Sequence, residues 1–156
     1  GVRRRFDIKG IHNNIMVVDD YAHHPTEVEA TLKAAKAGWK RRVLAIFQPH
    51  LYTRTRDFFQ EFSSALQIAD YVILTDIYPA REKPIPNISS KLIFDDLRKI
   101  MKSKCVLVSD LDNLIDLIFK KVKSGDMVLT MGAGSIWRYS DSFYNKLLTI
   151  KENELI

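Results

Sequence analysis

The chain has 156 residues, 46% of them hydrophobic and 28% charged, with a formal net charge of +5 and a pI near 9.3. That balance suits one globular domain with a full core. Apolar runs of about five residues are far short of the roughly 20 that a transmembrane helix needs, and a single cysteine, Cys105, rules out an intramolecular disulfide.

One cysteine fits a reducing cytoplasm, and its place in an apolar run makes Cys105 a core residue. Basic residues are scattered apart from Arg3–Arg5, Lys40–Arg42 and Lys120–Lys123. This distribution favours solvated faces and anionic small-molecule sites over a nucleic-acid surface. The start at Gly1, followed by Val2 and three arginines, reads as the interior of a longer protein without a signal peptide.

In chain order, Arg5–Ile8 and His12–Val18 read as paired strands around a tight hairpin at Lys9, Gly10 and Ile11, which predicts one antiparallel edge strand. The run Ile15–Val18 reads as a buried strand ending near Asp19. Pro25 suits the first position of a helix, and Thr26, Glu27 and Glu29 complement the positive end of its dipole. That helix, about Thr26–Ala37, puts Val28, Leu32 and Ala35 on one face and stops before Gly38, a candidate left-handed cap.

A second strand, Val43–Phe47, leads to a helix of about Arg56–Ile68 with Phe58, Phe62, Ala65 and Leu66 as its apolar stripe. After the strand Tyr71–Thr75, Pro79, Pro84 and Pro86 make Ile77–Asn87 a loop at the carboxyl edge of the sheet. A helix of about Ser90–Met101, the strand Cys105–Val108 and a helix of about Leu111–Lys123 follow. The last uses Leu114, Ile115, Ile118 and Val122 and ends near Gly125, before the strand Met127–Met131. This alternation predicts an α/β fold: a doubly wound, mostly parallel, Rossmann-like sheet with one antiparallel edge strand.

Three polar junctions follow apolar strands. In DDYAHHPTE, Asp19–Glu27, the turn presents Asp20, Tyr21, His23 and His24 at a sheet edge, where open α/β folds bind ligands. Gln48–Arg56 adds His50, Tyr52, Arg54 and Arg56; the planar fork of arginine suits carboxylate and phosphate. Gly132, Ala133, Gly134 and Ser135 open a helix whose N–H groups can face an anion or simply pack tightly. Trp137 occupies the place of the third glycine of a dinucleotide fingerprint, so that reading is set aside.

The adjacent His23 and His24 match no zinc spacing such as HExxH or CxxC, so no metal site is expected. No serine lies in a nucleophile-elbow context. Asp19 and Asp20 also suit a phospho-receiver module, but the final strand ends in glycines where that pattern has lysine and proline. No GxxxxGK[ST] occurs. A nucleotide at this edge would therefore meet one wall of a cleft whose phosphate-cradling wall belongs to another domain.

Together DDYAHHPTE, FQPHLYTRT, YPAREKPI and GAGSIW resemble the C-terminal domain of the Mur ligases, in the branch that joins L-alanine to UDP-N-acetylmuramate. The resemblance covers nearly the whole chain. It implies that residues 1–156 are one domain of a three-domain bacterial cytoplasmic enzyme, partnered by N-terminal and central domains and by neither nucleic acid nor membrane. ATP and Mg2+ would be held mainly by the central domain, and the isolated domain would be inactive.

It further implies nucleotide contacts at Arg5, Asp20 and Tyr21, and substrate contacts at Tyr21, His23, His50 and Arg54. His24, Arg56, Arg81, Gly132 and Gly134 are further candidates. Leu51 departs from the family, which often has arginine there, and Arg54 or Arg56 would compensate. A related ligase of peptidoglycan recycling, a stand-alone nucleotide-binding or receiver-type module, and a basic nucleic-acid-binding domain remain the alternatives.

Overall fold

The structure, a computed structural model, describes residues 5–154; Arg3 and Arg4 of the first basic run lie outside them. Six strands form one sheet: β1 (Asp7–His12), β2 (Ile15–Asp20), β3 (Val43–Phe47), β4 (Tyr71–Thr75), β5 (Cys105–Val108) and β6 (Met127–Met131). Their order is β1-β2-β6-β3-β4-β5. All pairs are parallel except β1 with β2. The helices are α1 (Pro25–Gly38), α2 (Tyr52–Leu66), α3 (Lys91–Met101), α4 (Leu114–Lys121) and α5 (Ile136–Leu148).

Strands β2, β3, β4 and β6 are buried along their whole lengths because helices cover both faces. On one face α1, α2 and α3 contribute Val28, Leu32, Phe62, Leu66, Ile93 and Leu97; on the other α4 and α5 contribute Leu114, Ile118, Ile136, Phe143 and Leu147. Cys105 belongs to the first core, and desolvation raises the pKa of its thiol. Among the described residues no helix is long and apolar enough to cross a membrane.

The chain leaves β2 and β3 toward one face and β6, which lies between them, toward the other. Connections that diverge around a strand end open a crevice there. The sheet thus gathers all three polar junctions at one edge.

Several local expectations are corrected. The hairpin turns at Asn13 and Asn14, both at positive φ (50° and 59°), because two adjacent left-handed residues suit a two-residue turn. Gly10 lies inside β1, at the register shift between Ile8 and Gly10. Its missing side chain admits Tyr144 of α5, whose hydroxyl lies where a Cβ would be. β2 runs on through Asp19 and Asp20, since Asp19 accepts a hydrogen bond from the Thr130 hydroxyl at 2.7 Å.

Gly38 is the last residue of α1 and is not in the left-handed region; extended Trp39 ends the helix. α2 starts at Tyr52, four residues before Arg56, because another segment caps it. It kinks at Phe58, which is 41% exposed and leaves the apolar stripe. α3 begins after Ser90, and the fourth helix divides into a 3-10 turn, Leu111–Asn113, and α4.

Candidate functional site

The β2 edge is organised by two carboxylates. Asp20, only 7% exposed, accepts the backbone N–H of Phe6 on one oxygen and that of Ala22 on the other, both at 2.8 Å. The first bond ties the start of β1 to the end of β2 and brings exposed Arg5 to this edge. Glu27 accepts the N–H groups of His23 and His24 at 3.2 and 3.0 Å, closing the first turn of α1 with Pro25 at its start. Partial burial raises the Glu27 pKa, but those N–H groups outweigh it and hold the carboxyl below its ordinary value.

His23 and Tyr21 are thereby fixed relative to each other. His23 Nδ1 lies 2.8 Å from the Tyr21 carbonyl, which only accepts, so Nδ1 carries a proton and, in the neutral ring, Nε2 is the acceptor. The 40% exposed Tyr21 ring meets His23 edge-on at 4.9 Å. His24 precedes α1 with its side chain exposed. Desolvation, the Arg54 charge and His23 all lower its pKa.

At the β3 edge, His50 lies between His23 and Tyr78, with ring centroids 6.0 and 5.9 Å away. Arg54 Nη1 is 3.2 Å from His50 Nδ1. A guanidinium only donates, so Nδ1 accepts and the neutral ring carries its proton on Nε2. Desolvation, Arg54 and His23 lower the His50 pKa, in keeping with that neutral form. Among the described residues Arg54 forms no ion pair.

The Ile77–Asn87 loop supplies what α2 lacks. Leu51 precedes α2 at φ 75°, ψ 138°, a strained conformation for a residue with a side chain, and it cannot cap a helix. Glu82 caps instead, accepting from the Tyr52 and Thr53 N–H groups and the Thr53 hydroxyl. The Thr53 hydroxyl is the main cause of its lowered pKa. Tyr78 N–H donates to the Pro49 carbonyl at 2.8 Å, and Leu51 N–H to the Tyr78 carbonyl at 3.0 Å, clamping the turn that carries His50.

The β6 edge packs against the same turn. Buried Gln48 accepts the Ile136 N–H at 3.1 Å and donates to the Ser135 hydroxyl at 3.3 Å, so its side chain covers the start of α5. A Cβ on Gly134 would lie 2.4 Å from the Tyr78 ring, and one on Gly132, at φ 151°, would lie 2.9 Å from the Gln48 carbonyl. Close packing accounts for both glycines.

Of the expected residues, Tyr21, His23, His24, His50 and Arg54 form one cluster, and Asp20 and Arg5 flank it. Arg56 instead forks onto neighbouring Asp57 at the surface. Arg81 is exposed on the capping loop. Gln48, Tyr78 and Glu82 have supporting roles that the sequence reading missed; the prolines around Glu82 marked the loop but not what it caps. A cavity of about 460 Å3 lined by Asn13, Asn14, Lys123 and Glu152 lies at the opposite end of the strands.

This edge can hold an anion with Arg54, stack flat groups on its rings, and accept a proton or hydrogen bond at His23 Nε2. Its donors are mainly nitrogens beside a fixed positive charge.

The chain is 48% identical over 147 residues to the UDP-N-acetylmuramate–L-alanine ligase of Geotalea daltonii, covering 94% of this chain and 32% of that protein. It thus spans about a third of the length of such relatives. Among solved structures, the UDP-N-acetylmuramate-alanine ligase of Thermotoga maritima matches with a TM-score of 0.79 and 33% identity, over 97% of this chain and 31% of that one. A murein peptide ligase of Psychrobacter arcticus matches with a TM-score of 0.77 and 25% identity, over 97% and 31%. The family described as Mur ligase, glutamate ligase domain, matches residues 4–134, and the chain belongs to that family.

Proposed function

We propose that this chain is the C-terminal domain of a bacterial, cytoplasmic, ATP-dependent ligase that joins L-alanine to UDP-N-acetylmuramate in peptidoglycan synthesis. The observation that carries the reading is Arg54: an arginine without an ion pair among the described residues, held by a neutral histidine, beside His23 and Tyr21 at the strand ends. The 48% identity to an L-alanine-adding ligase supports the substrate.

In this reading the lactyl carboxylate of the sugar attacks the γ-phosphorus of ATP, and ADP leaves. The amine of L-alanine, having lost a proton, attacks the acyl phosphate carbonyl. The tetrahedral intermediate then expels inorganic phosphate as the amide forms. Arg54 binds a substrate carboxylate or the transferring phosphoryl oxygens, and His50 keeps its fork oriented. His23 Nε2 receives a proton or hydrogen bond from the amine, with Tyr21 beside it. Asp20 keeps lone pairs beyond its two backbone bonds, enough to accept from a ribose hydroxyl, and Arg5 faces the nucleotide phosphates.

The chain has no P-loop, so the N-terminal and central domains of the same enzyme supply the sugar and ATP sites. Magnesium neutralises phosphate charge in such a reaction. It prefers oxygen ligands, whereas this edge offers mainly nitrogens beside the Arg54 charge, so the ion belongs to the central domain and no step here runs through it.

The test uses the full-length protein that contains this domain. Phosphate release should require ATP, UDP-N-acetylmuramate and L-alanine together, and Arg54→Ala should reduce turnover at least tenfold while the fold survives. Turnover with a tripeptide in place of L-alanine would favour the recycling alternative. Wild-type kinetics in Arg54→Ala would remove the central element of the reading.

A further inference from the structure

The β2–α1 turn gathers two imidazoles and a carboxylate in a way their sequence spacing did not announce. One ligand atom from each of His23, His24 and Glu27 lies within 4.8 Å of the others. An ion with bonds of about 2.0–2.2 Å holds tetrahedral ligands roughly 3.4 Å apart. Side-chain rotations that bring these atoms about 1.4 Å closer complete the set.

The turn is built to keep these groups in place. Glu27 Oε1 is anchored by the two histidine N–H groups, which leaves Oε2 for an outside partner. Two imidazoles and one carboxylate suit zinc or nickel rather than magnesium or calcium. The Arg54 charge opposes any cation here, so micromolar rather than structural-zinc affinity is expected.

We propose that His23, His24 and Glu27 bind a divalent transition-metal ion of the zinc class, with at least one coordination position open to solvent. Metal uptake rests on this geometry alone. Its consequence rests on the ligase reading: an ion on His23 takes that residue from the substrate, so it should inhibit the full-length enzyme competitively.

The experiment titrates this chain, without an affinity tag, with Co2+ while following its visible absorption, and then displaces Co2+ with Zn2+. A saturable one-to-one complex is expected. His24→Ala and Glu27→Gln should each weaken it at least tenfold; glutamine keeps an oxygen for the helix cap. His12→Ala, at the end of β1 opposite the start of β2, should leave the affinity unchanged. Wild-type affinity in either of the first two variants, or no saturable binding at millimolar ion, would overturn the site. Zn2+ inhibition of the full-length protein that weakens in His24→Ala supports the consequence. Zn2+ binding without inhibition overturns that consequence and leaves the metal site standing.

Discussion

Gly134→Ala isolates the packing that joins the β6 edge to the His50 turn. The added methyl would lie 2.4 Å from Tyr78 Cγ, 2.7 Å from its Cδ1 and 2.8 Å from Gln48 Oε1, where ordinary contact begins near 3.4 Å. The Tyr78 ring must therefore retreat by about 1 Å, the difference between those contacts. It has little freedom, because its backbone is bonded on both sides, to Pro49 and Leu51, and its ring stacks on His50. Forced overpacking of this kind costs about 1–3 kcal/mol. For a domain of this size that corresponds to a Tm lowered by roughly 2–12 °C. Thermal unfolding followed by circular dichroism gives the shift, and the His50 ring resonances should move in the same variant. In a Tyr78→Ala background the glycine substitution should cost much less, since the colliding ring is gone. A Tm within about 1 °C of wild type together with unmoved His50 resonances would refute the packing argument.

Asp126 is 3% exposed, receives two bonds from Arg42 at 3.0 and 2.8 Å, and accepts the Lys123 N–H at 2.8 Å. Asp126→Ala should cost about 1.5–3 kcal/mol in urea unfolding, since Arg42 is left a third exposed and still bonded to the Lys121 carbonyl; a loss under 1 kcal/mol would show that the pair contributes little. Burial raises the Asp70 pKa, but Lys36, the Val43 N–H and Arg42 outweigh it and bring the pKa below 3.8. A depressed folded pKa gives stability that is present above the unfolded value and lost as pH falls through the folded one. Asp70→Asn should therefore lose stability at pH 6 and little at pH 2.5; an equal loss at both, read from urea midpoints, would contradict the ion pair. His50 should titrate below 6.5 by NMR, through desolvation and the charges of Arg54 and His23, and Arg54→Ala should raise the midpoint; no movement would separate the two residues.

Where strands are buried on both faces, the sequence carries their limits plainly. Val43–Phe47, Tyr71–Thr75 and Met127–Met131 are each an apolar run that stops at polar residues or glycine, and each matches the observed strand, as does the less buried edge strand Cys105–Val108. The misplaced features depend on contacts distant in sequence. Gly10 resembled a turn because only the fold shows Tyr144 packed over it. The start of α2 was missed because Leu51 is a poor cap and the real one, Glu82, lies 29 residues beyond Thr53. At the site, Tyr21, His23, His50 and Arg54 were legible as polar residues after strands. That Arg56 turns away to Asp57 while Arg54 turns toward His50 is decided by side-chain direction on a helix that starts earlier than its apolar pattern suggests.

The bond from the Phe6 N–H to Asp20 makes a load path. A pull on the backbone ahead of β1 is received by a carboxylate whose other oxygen holds the turn leading to Tyr21 and His23. The same carboxylate therefore couples the entry into β1 to the position of the turn, and a change at either is transmitted to the other.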